Sequence, residues 1–166
     1  SRRHEVVDGQ QRMATVSLAV SAIIHGINEL GTSSTDGAVQ DECRVNIVVY
    51  SGVYLNYQER DGGRLIDAPK MVVSRADEAF FRGLIDGEPP VESRDSHTRL
   101  KNAYNTIKEE LVDSVLLGTE SDRDKLNALS RLYEIITNKC IVIHIVSQSH
   151  QEAYRLFAVL NDRGRS

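Results

Sequence analysis

The chain has 166 residues, 40% of them hydrophobic and 27% charged, the make-up of one globular domain large enough to bury a core. A formal charge of −4 argues against a protein that grips nucleic acid over its whole surface, although Arg2, Arg3, Arg12, Arg163 and Arg165 leave room for a local basic patch at the chain ends. Cys43 and Cys140 match no metal-ligand spacing and read as buried, reduced thiols of a cytoplasmic protein; no apolar run reaches membrane-spanning length, and the N-terminus lacks a signal peptide's apolar core.

In chain order, residues 4–8 read as a strand that bends at Asp8-Gly9. Residues 10–30 follow as a helix with Val16, Val20, Ile23, Ile24, Ile27 and Leu30 on one face, and Gly31 as its stop. Residues 32–42 are small and polar and read as a loop. Residues 43–50 fit a strand by their β-branched content, with a short helix as the alternative. Val53 to Tyr57 and Arg64 to Ile66 form a hairpin about Asp61-Gly62-Gly63. Pro69 ends the return strand or puts it at an edge, and Lys70 to Val73 are a continuation of it. Ser74-Arg75-Ala76-Asp77 has capping-box spacing before a short helix that buries Phe80, Phe81, Leu84 and Ile85.

After a loop at 86–92, a helix from about Ser96 to Leu117 carries Leu100, Ala103, Tyr104, Ile107, Leu111 and Val115 on one stripe. Ser121 caps the next helix, with Leu126, Leu129, Leu132, Tyr133 and Ile136 inward. Cys140 to Val146 is apolar nearly throughout and reads as a strand buried on both faces. Ser149 to Glu152 is a second capping box, opening a helix through Ala153, Leu156, Phe157 and Leu160 that delivers Asn161-Asp162-Arg163-Gly164 at its end. Helices outnumber strands and alternate unevenly with them, so the fold class is α+β with a small mixed sheet.

Val6-Val7-Asp8-Gly9-Gln10-Gln11-Arg12 carries the chemistry. A strand turning sharply into a helix gathers backbone N–H groups and the positive end of the helix dipole at the bend, and a glycine lets a ligand approach the backbone. Arg12 on the first turn can fork onto a phosphate or carboxylate. Asp8 can cap the helix or hold a cation beside the anion. On the residues alone, the favoured reading is the plainer one: Asp8 as N-cap, Gly9 as turn, Gln10 to Arg12 as a solvated first turn. The histidines form no pair with metal-ligand spacing. His4 reads as a solvated strand residue, His144 as a core residue, and His25, His97 and His150 as surface positions. The acidic runs read as solvated faces, and Tyr54, Tyr57 and Tyr104 as core packing rather than base-stacking platforms.

Two motifs, Asp8-Gly9-Gln10-Gln11-Arg12 and Leu160-Asn161-Asp162-Arg163-Gly164, together resemble the N-terminal domain of GmrSD-type modification-dependent restriction proteins, a family related to the ParB/sulfiredoxin-like fold. Arg64-Leu65, Asp77 to Phe81, Arg99 to Tyr104 and Glu152 to Phe157 resemble that family in its order, so the likeness covers nearly the whole chain. Met13 and Ala14 depart from the Leu and Thr often found there, whereas Thr15 matches.

The resemblance implies a ParB/sulfiredoxin-like fold with added helices, and it reverses the plainer reading of the bend. Asp8, Gln10, Gln11 and Arg12 become candidate catalytic residues. Gly9, Gln10, Gln11, Arg12, Thr15, Asn161 and Arg163 become candidate ligands of an NTP (GTP, ATP or CTP), and Asp8 the candidate ligand of Mg²⁺. In these roles the amides of Gly9 to Gln11 and the Arg12 guanidinium hold phosphate, Gln10 and Gln11 position a water or read a sugar hydroxyl, and Asn161 and Arg163 line the same cleft.

The implied function is an NTP-hydrolysing module of a bacterial restriction system acting on modified phage DNA. The alternatives are a module that senses modified DNA and uses nucleotide only as a ligand, and a purely structural domain. The implied partners are DNA and a C-terminal HNH-type nuclease domain, with no membrane and with homo-oligomerisation open. Residues 1–166 then form a single domain, expected to be a fragment lacking an N-terminal stretch and the nuclease domain.

Overall fold

The computed structural model describes residues 9–141 and 149–162, with the backbone alone at 150, 156, 157 and 160–162. The expected strand at 4–8, most of that at 140–146, His4, His144 and the terminal arginines other than Arg12 lie outside the described residues. Cys140 and Ile141 belong to no regular element. Cys140 is exposed, against expectation, while Cys43 is buried.

The core is built round α1, Gln10–Ser33, about 36 Å of helix. Leu18, Val20, Ala22, Ile23 and Ile27 are at most 1% exposed. The helix is buried on more than one stripe because α2 (Gly37–Tyr50), α3 (Glu78–Asp86), α4 (Asp95–Ile107) and α6 (Asp122–Glu134) all pack on it. By length and composition α1 could cross a membrane, but 67% of its most apolar window is buried inside this fold, as in the core helix of a globular domain.

The helix does not stop at Gly31. It runs to Ser33, and the Ser34 N–H donates to the Leu30 carbonyl at 2.9 Å. Gly31 serves close packing instead: a Cβ there would lie 2.8 Å from Cys43 Cβ on α2. The loop expected over 32–42 is correspondingly short. Asp36 caps α2, its carboxylate accepting from the N–H of Ala38 at 2.8 Å and of Val39 at 3.3 Å. Residues 43–50 are helix because Val39, Cys43, Ile47 and Tyr50, spaced at 4, 4 and 3, pack on the core; tertiary packing overrides the β-branched preference.

Helix α2 runs on through a π-helical turn at Ser51–Leu55, so the hairpin begins at Asn56 rather than Val53. Strands β1 (Asn56–Asp61) and β2 (Arg64–Pro69) pair antiparallel, from Asp61↔Arg64 at the turn to Asn56↔Pro69 at the base. Gly62 and Gly63 have φ of 53° and 87°, the left-handed pair a two-residue hairpin demands. Pro69 ends β2, and Lys70 to Val73 leave the sheet. The fold is α+β with a small sheet, of which the described residues hold the antiparallel pair β1–β2.

Helix α3 starts with Asp77 in the N-cap position, three residues later than expected and with no side-chain capping bond; Ser74 Oγ donates to the Asp77 carboxylate at 2.7 Å. All four of its expected apolar residues are buried. Helix α4 passes through a π-turn at Lys108–Asp113 into α5, Ser114–Leu117. The π-turn inserts a residue and rotates the stripe, so Val112, off the expected stripe, is fully buried while Leu111 is only partly so. Ser121 caps α6 as expected, accepting from Asp124 N–H at 3.1 Å, with Leu126, Leu129 and Tyr133 buried. The rings of Tyr50 and Tyr133 stack at 3.7 Å between α2 and α6. A π-turn at Ile135–Lys139 ends this segment. Ser149 Oγ accepts from Gln151 N–H at 3.2 Å and opens α7, His150–Asp162.

Candidate functional site

Gly9 is the N-cap of α1, with φ 87°, a backbone conformation costly for any side chain with a Cβ. The cap position is therefore Gly9, not Asp8, which corrects the plainer reading of the bend. The first intrahelical bond runs from Met13 N–H to the Gly9 carbonyl at 2.9 Å. Gln10, Gln11 and Arg12 follow, all exposed, and burial begins at Ala14. The first turn thus projects past the core as a platform. Within the turn itself there is no acidic residue, and the positive helix end and the Arg12 guanidinium have the same sign.

Thr15, one turn on, is exposed, and its Oγ1 donates to the Gln11 carbonyl at 2.8 Å. Its proton is committed to its own helix. In this rotamer the hydroxyl oxygen can accept a bond, and donating to a ligand requires giving up the one to Gln11.

Asp8 and Arg163 lie outside the described residues, as does the Asn161 side chain; the backbone of Asn161 is in the last turn of α7. Among the described residues, no three His, Cys, Asp or Glu side chains gather as a metal set.

A second polar site sits farther along α1 and was not legible in the sequence. A cleft of about 400 Å³ is lined by His25, Asn28 and Glu29 of α1, the end of α3, and Tyr104 and Asn105 of α4. His25 is half-buried rather than a surface residue. Its Nε2 lies 3.0 Å from the Ile85 carbonyl and its Nδ1 2.6 Å from the Tyr104 hydroxyl. The tautomer that satisfies both puts the proton on Nε2, so that Tyr104 donates to Nδ1. Burial holds the His25 pKa below its ordinary value, against the opposing bond to Ile85. Burial, with the charges of Glu29 and Asp113, pushes the Tyr104 phenol up to about 12. Both groups stay neutral at pH 7. His25 and Tyr104 are 79 residues apart, so no local pattern could pair them.

His97, also expected at the surface, is buried at 7% exposure. Its ring stacks on Phe80 at 4.3 Å, and its Nδ1 accepts from Ser93 N–H at 3.3 Å. It pins the 87–94 connection to α3, a structural task.

A comparison with curated proteins finds no match. The model of the family described as GmrSD restriction endonuclease, N-terminal domain, matches residues 1–166, and with the glycine-headed first turn and the α+β architecture in place, the chain belongs to that family.

Proposed function

We propose that this domain is the NTP-binding and NTP-hydrolysing module of a bacterial, cytoplasmic anti-phage restriction system that acts on modified DNA. The observation that supports the reading is the first turn of α1: a glycine in the left-handed region at the cap, followed by three exposed polar residues, one of them an arginine. In this reading the amides of Gly9 to Gln11 hold the phosphates and Arg12 neutralises the β/γ oxygens. Asp8 orients Mg²⁺ or the attacking water, Gln10 and Gln11 position that water, and Thr15, Asn161 and Arg163 complete the pocket. DNA and an HNH-type nuclease domain are the partners through which hydrolysis drives or licenses cleavage, in keeping with the family's description as a restriction endonuclease.

The test is phosphate release from GTP, ATP and CTP with Mg²⁺, with and without modified DNA, for wild type and Asp8→Asn. Gly9 already holds the cap position, so Asp8→Asn removes a charge without removing the cap. A melting temperature close to wild type is expected, with hydrolysis down at least tenfold, about 1.4 kcal/mol of transition-state stabilisation. Unchanged hydrolysis in the folded variant would take Asp8 out of the chemistry. Nucleotide binding without hydrolysis by wild type, DNA present, would make the domain a sensor instead.

A further inference from the structure

The cleft between α1, the end of α3 and α4 has a volume of about 400 Å³, within the range of small-ligand sites. Its walls are fixed by the fold. One is the turn after α3, where Glu88 N–H donates to the Gly83 carbonyl at 2.8 Å. Pro89 and Pro90 press on Gly83 so closely that a Cβ there would stand 2.6 Å from Pro90 and 2.7 Å from Pro89. The other wall is the face of α4 that bears Tyr104 and Asn105, tied to α1 by the 2.6 Å bond between Tyr104 and His25. Walls already in place spare a ligand the cost of ordering them. Gly87, with φ 85°, keeps side-chain bulk off the His25 ring, because a Cβ there would stand 3.4 Å from Nε2.

The lining selects a neutral ligand. Four of its five charged side chains already hold an opposite charge. Lys108 lies 3.5 Å from Glu29 and 3.4 Å from Asp113, Lys101 lies 2.6 Å from Glu92, and Asp86 lies 2.9 Å from Arg82. The fifth, Glu88, is exposed on the lip. An anion would have to displace carboxylates from both lysines, and no three side chains are grouped to hold a metal among the described residues. The floor, His25 with Tyr104, is neutral and spends its protons internally. The amides of Asn28 and Asn105, by contrast, make no hydrogen bond among the described residues. Each offers a donor and an acceptor side by side. Leu84, Gly87 and Pro89 add an apolar wall.

We infer that this cleft binds a nucleobase, adenine above all. A planar ring lays its face on the apolar wall and turns its edge to the amides. The adjacent N6 donor and N7 acceptor of adenine complement one side-chain amide in a bidentate pair. The base comes either as a free nucleoside or as an unpaired base of a nucleic-acid strand. Along α1, His25 is thirteen residues from Arg12, about 20 Å, so one nucleotide does not reach both sites. The inference therefore stands apart from the nucleotide-phosphate reading of the first turn.

The test is a nuclear magnetic resonance titration that follows the side-chain amide signals of Asn28 and Asn105. Adenosine, which has no phosphate to engage the first turn of α1, is expected to shift both saturably, with a Kd on the order of 0.1–1 mM. Asn28→Ala and Asn105→Ala, both at exposed positions, are expected to keep the circular dichroism spectrum and to weaken binding at least about tenfold each. A single-stranded oligoadenylate bound at least about tenfold tighter than adenosine would identify the strand as the source of the base; equal or weaker binding would identify the free nucleoside. Unmoved amide signals, an affinity untouched in both folded variants, or equal shifts with methyl glucoside would overturn the inference.

Discussion

Tyr104 shows how a single residue ties the fold to pH. Its phenol is held up to about 12 against an ordinary value of 10.0, with burial as the main cause and nearby carboxylates adding to it. The folded state keeps the proton where the unfolded chain has lost it. This contribution to stability is therefore present in full below pH 10 and is lost as the pH rises from 10 to about 12. Tyr104→Phe also removes the hydrogen bond to His25, at a cost of about 1 kcal/mol near neutrality. Thermal melts of both proteins should show the wild-type melting temperature falling more steeply between pH 10 and 12; superimposable slopes would mean that Tyr104 is ordinary. Tyr104 was expected to pack in the core, and it does pack against it. Its bond to His25 was invisible, because the two residues meet only when α1 and α4 dock.

Helix α1 meets the π-turn after α4 and helix α6 closely at Gly26. An ideal Cβ on Gly26 would stand 2.6 Å from Val112 Cγ1 and 3.6 Å from Leu129. Gly26 is fully inside a helix, where alanine is intrinsically better by about 1 kcal/mol. Overpacking against Val112 costs about 1–3 kcal/mol, so Gly26→Ala is expected to destabilise. Val112→Ala alone leaves a cavity and costs about 2 kcal/mol. In the double variant the new methyl enters the space the valine vacates, so the combined loss in chemical denaturation should fall short of the sum by about 1 kcal/mol or more. Strict additivity would count against this contact as the reason for the glycine. The periodicity of residues 96–117 announced a helix and its core face as far as Leu111, because Leu100, Ala103, Tyr104, Ile107 and Leu111 pack on the core, but it missed the buried Val112. The π-turn at Lys108–Asp113 advances the stripe by one residue, and nothing in the local pattern marks it. Similarly, residues 43–50 fit strand or helix by composition, and the packing of Cys43, Ile47 and Tyr50 on the core decides for helix.

At the scale of the molecule, the proposed nucleotide site joins the two ends of the chain. If Arg12 and Arg163 grip one polyanion, each loses part of its worth when the other is removed. Arg12→Ala alone should cost on the order of 1.5–3 kcal/mol of nucleotide binding, a charge-assisted fork. A double-mutant cycle with Arg163→Ala, read by isothermal titration with Mg²⁺, should then show a coupling energy of at least about 0.5 kcal/mol. Independent losses would make Asn161-Asp162-Arg163-Gly164 a helix end and no more. Melting temperatures measured alongside separate a lost ligand from a lost cap.

The sequence by itself determined the α+β class, the helix from Gln10, the hairpin about Gly62-Gly63, the caps at Ser121 and Ser149, the four buried apolar residues of α3 and the family. These rest on local rules: periodicity, turn glycines, capping side chains and motif spacing act within a few residues. Tertiary structure alone decided that Gly31 is a packing contact, that residues 37–50 are helix, that Val112 is fully buried beside Leu111, that His97 is buried and Cys140 is not, and that His25 meets Tyr104. Each of these depends on which surface of one helix another helix covers. A segment's own pattern shows that it has an apolar face, but the partner that covers the face comes from distant chain and is set by how all the faces pack at once.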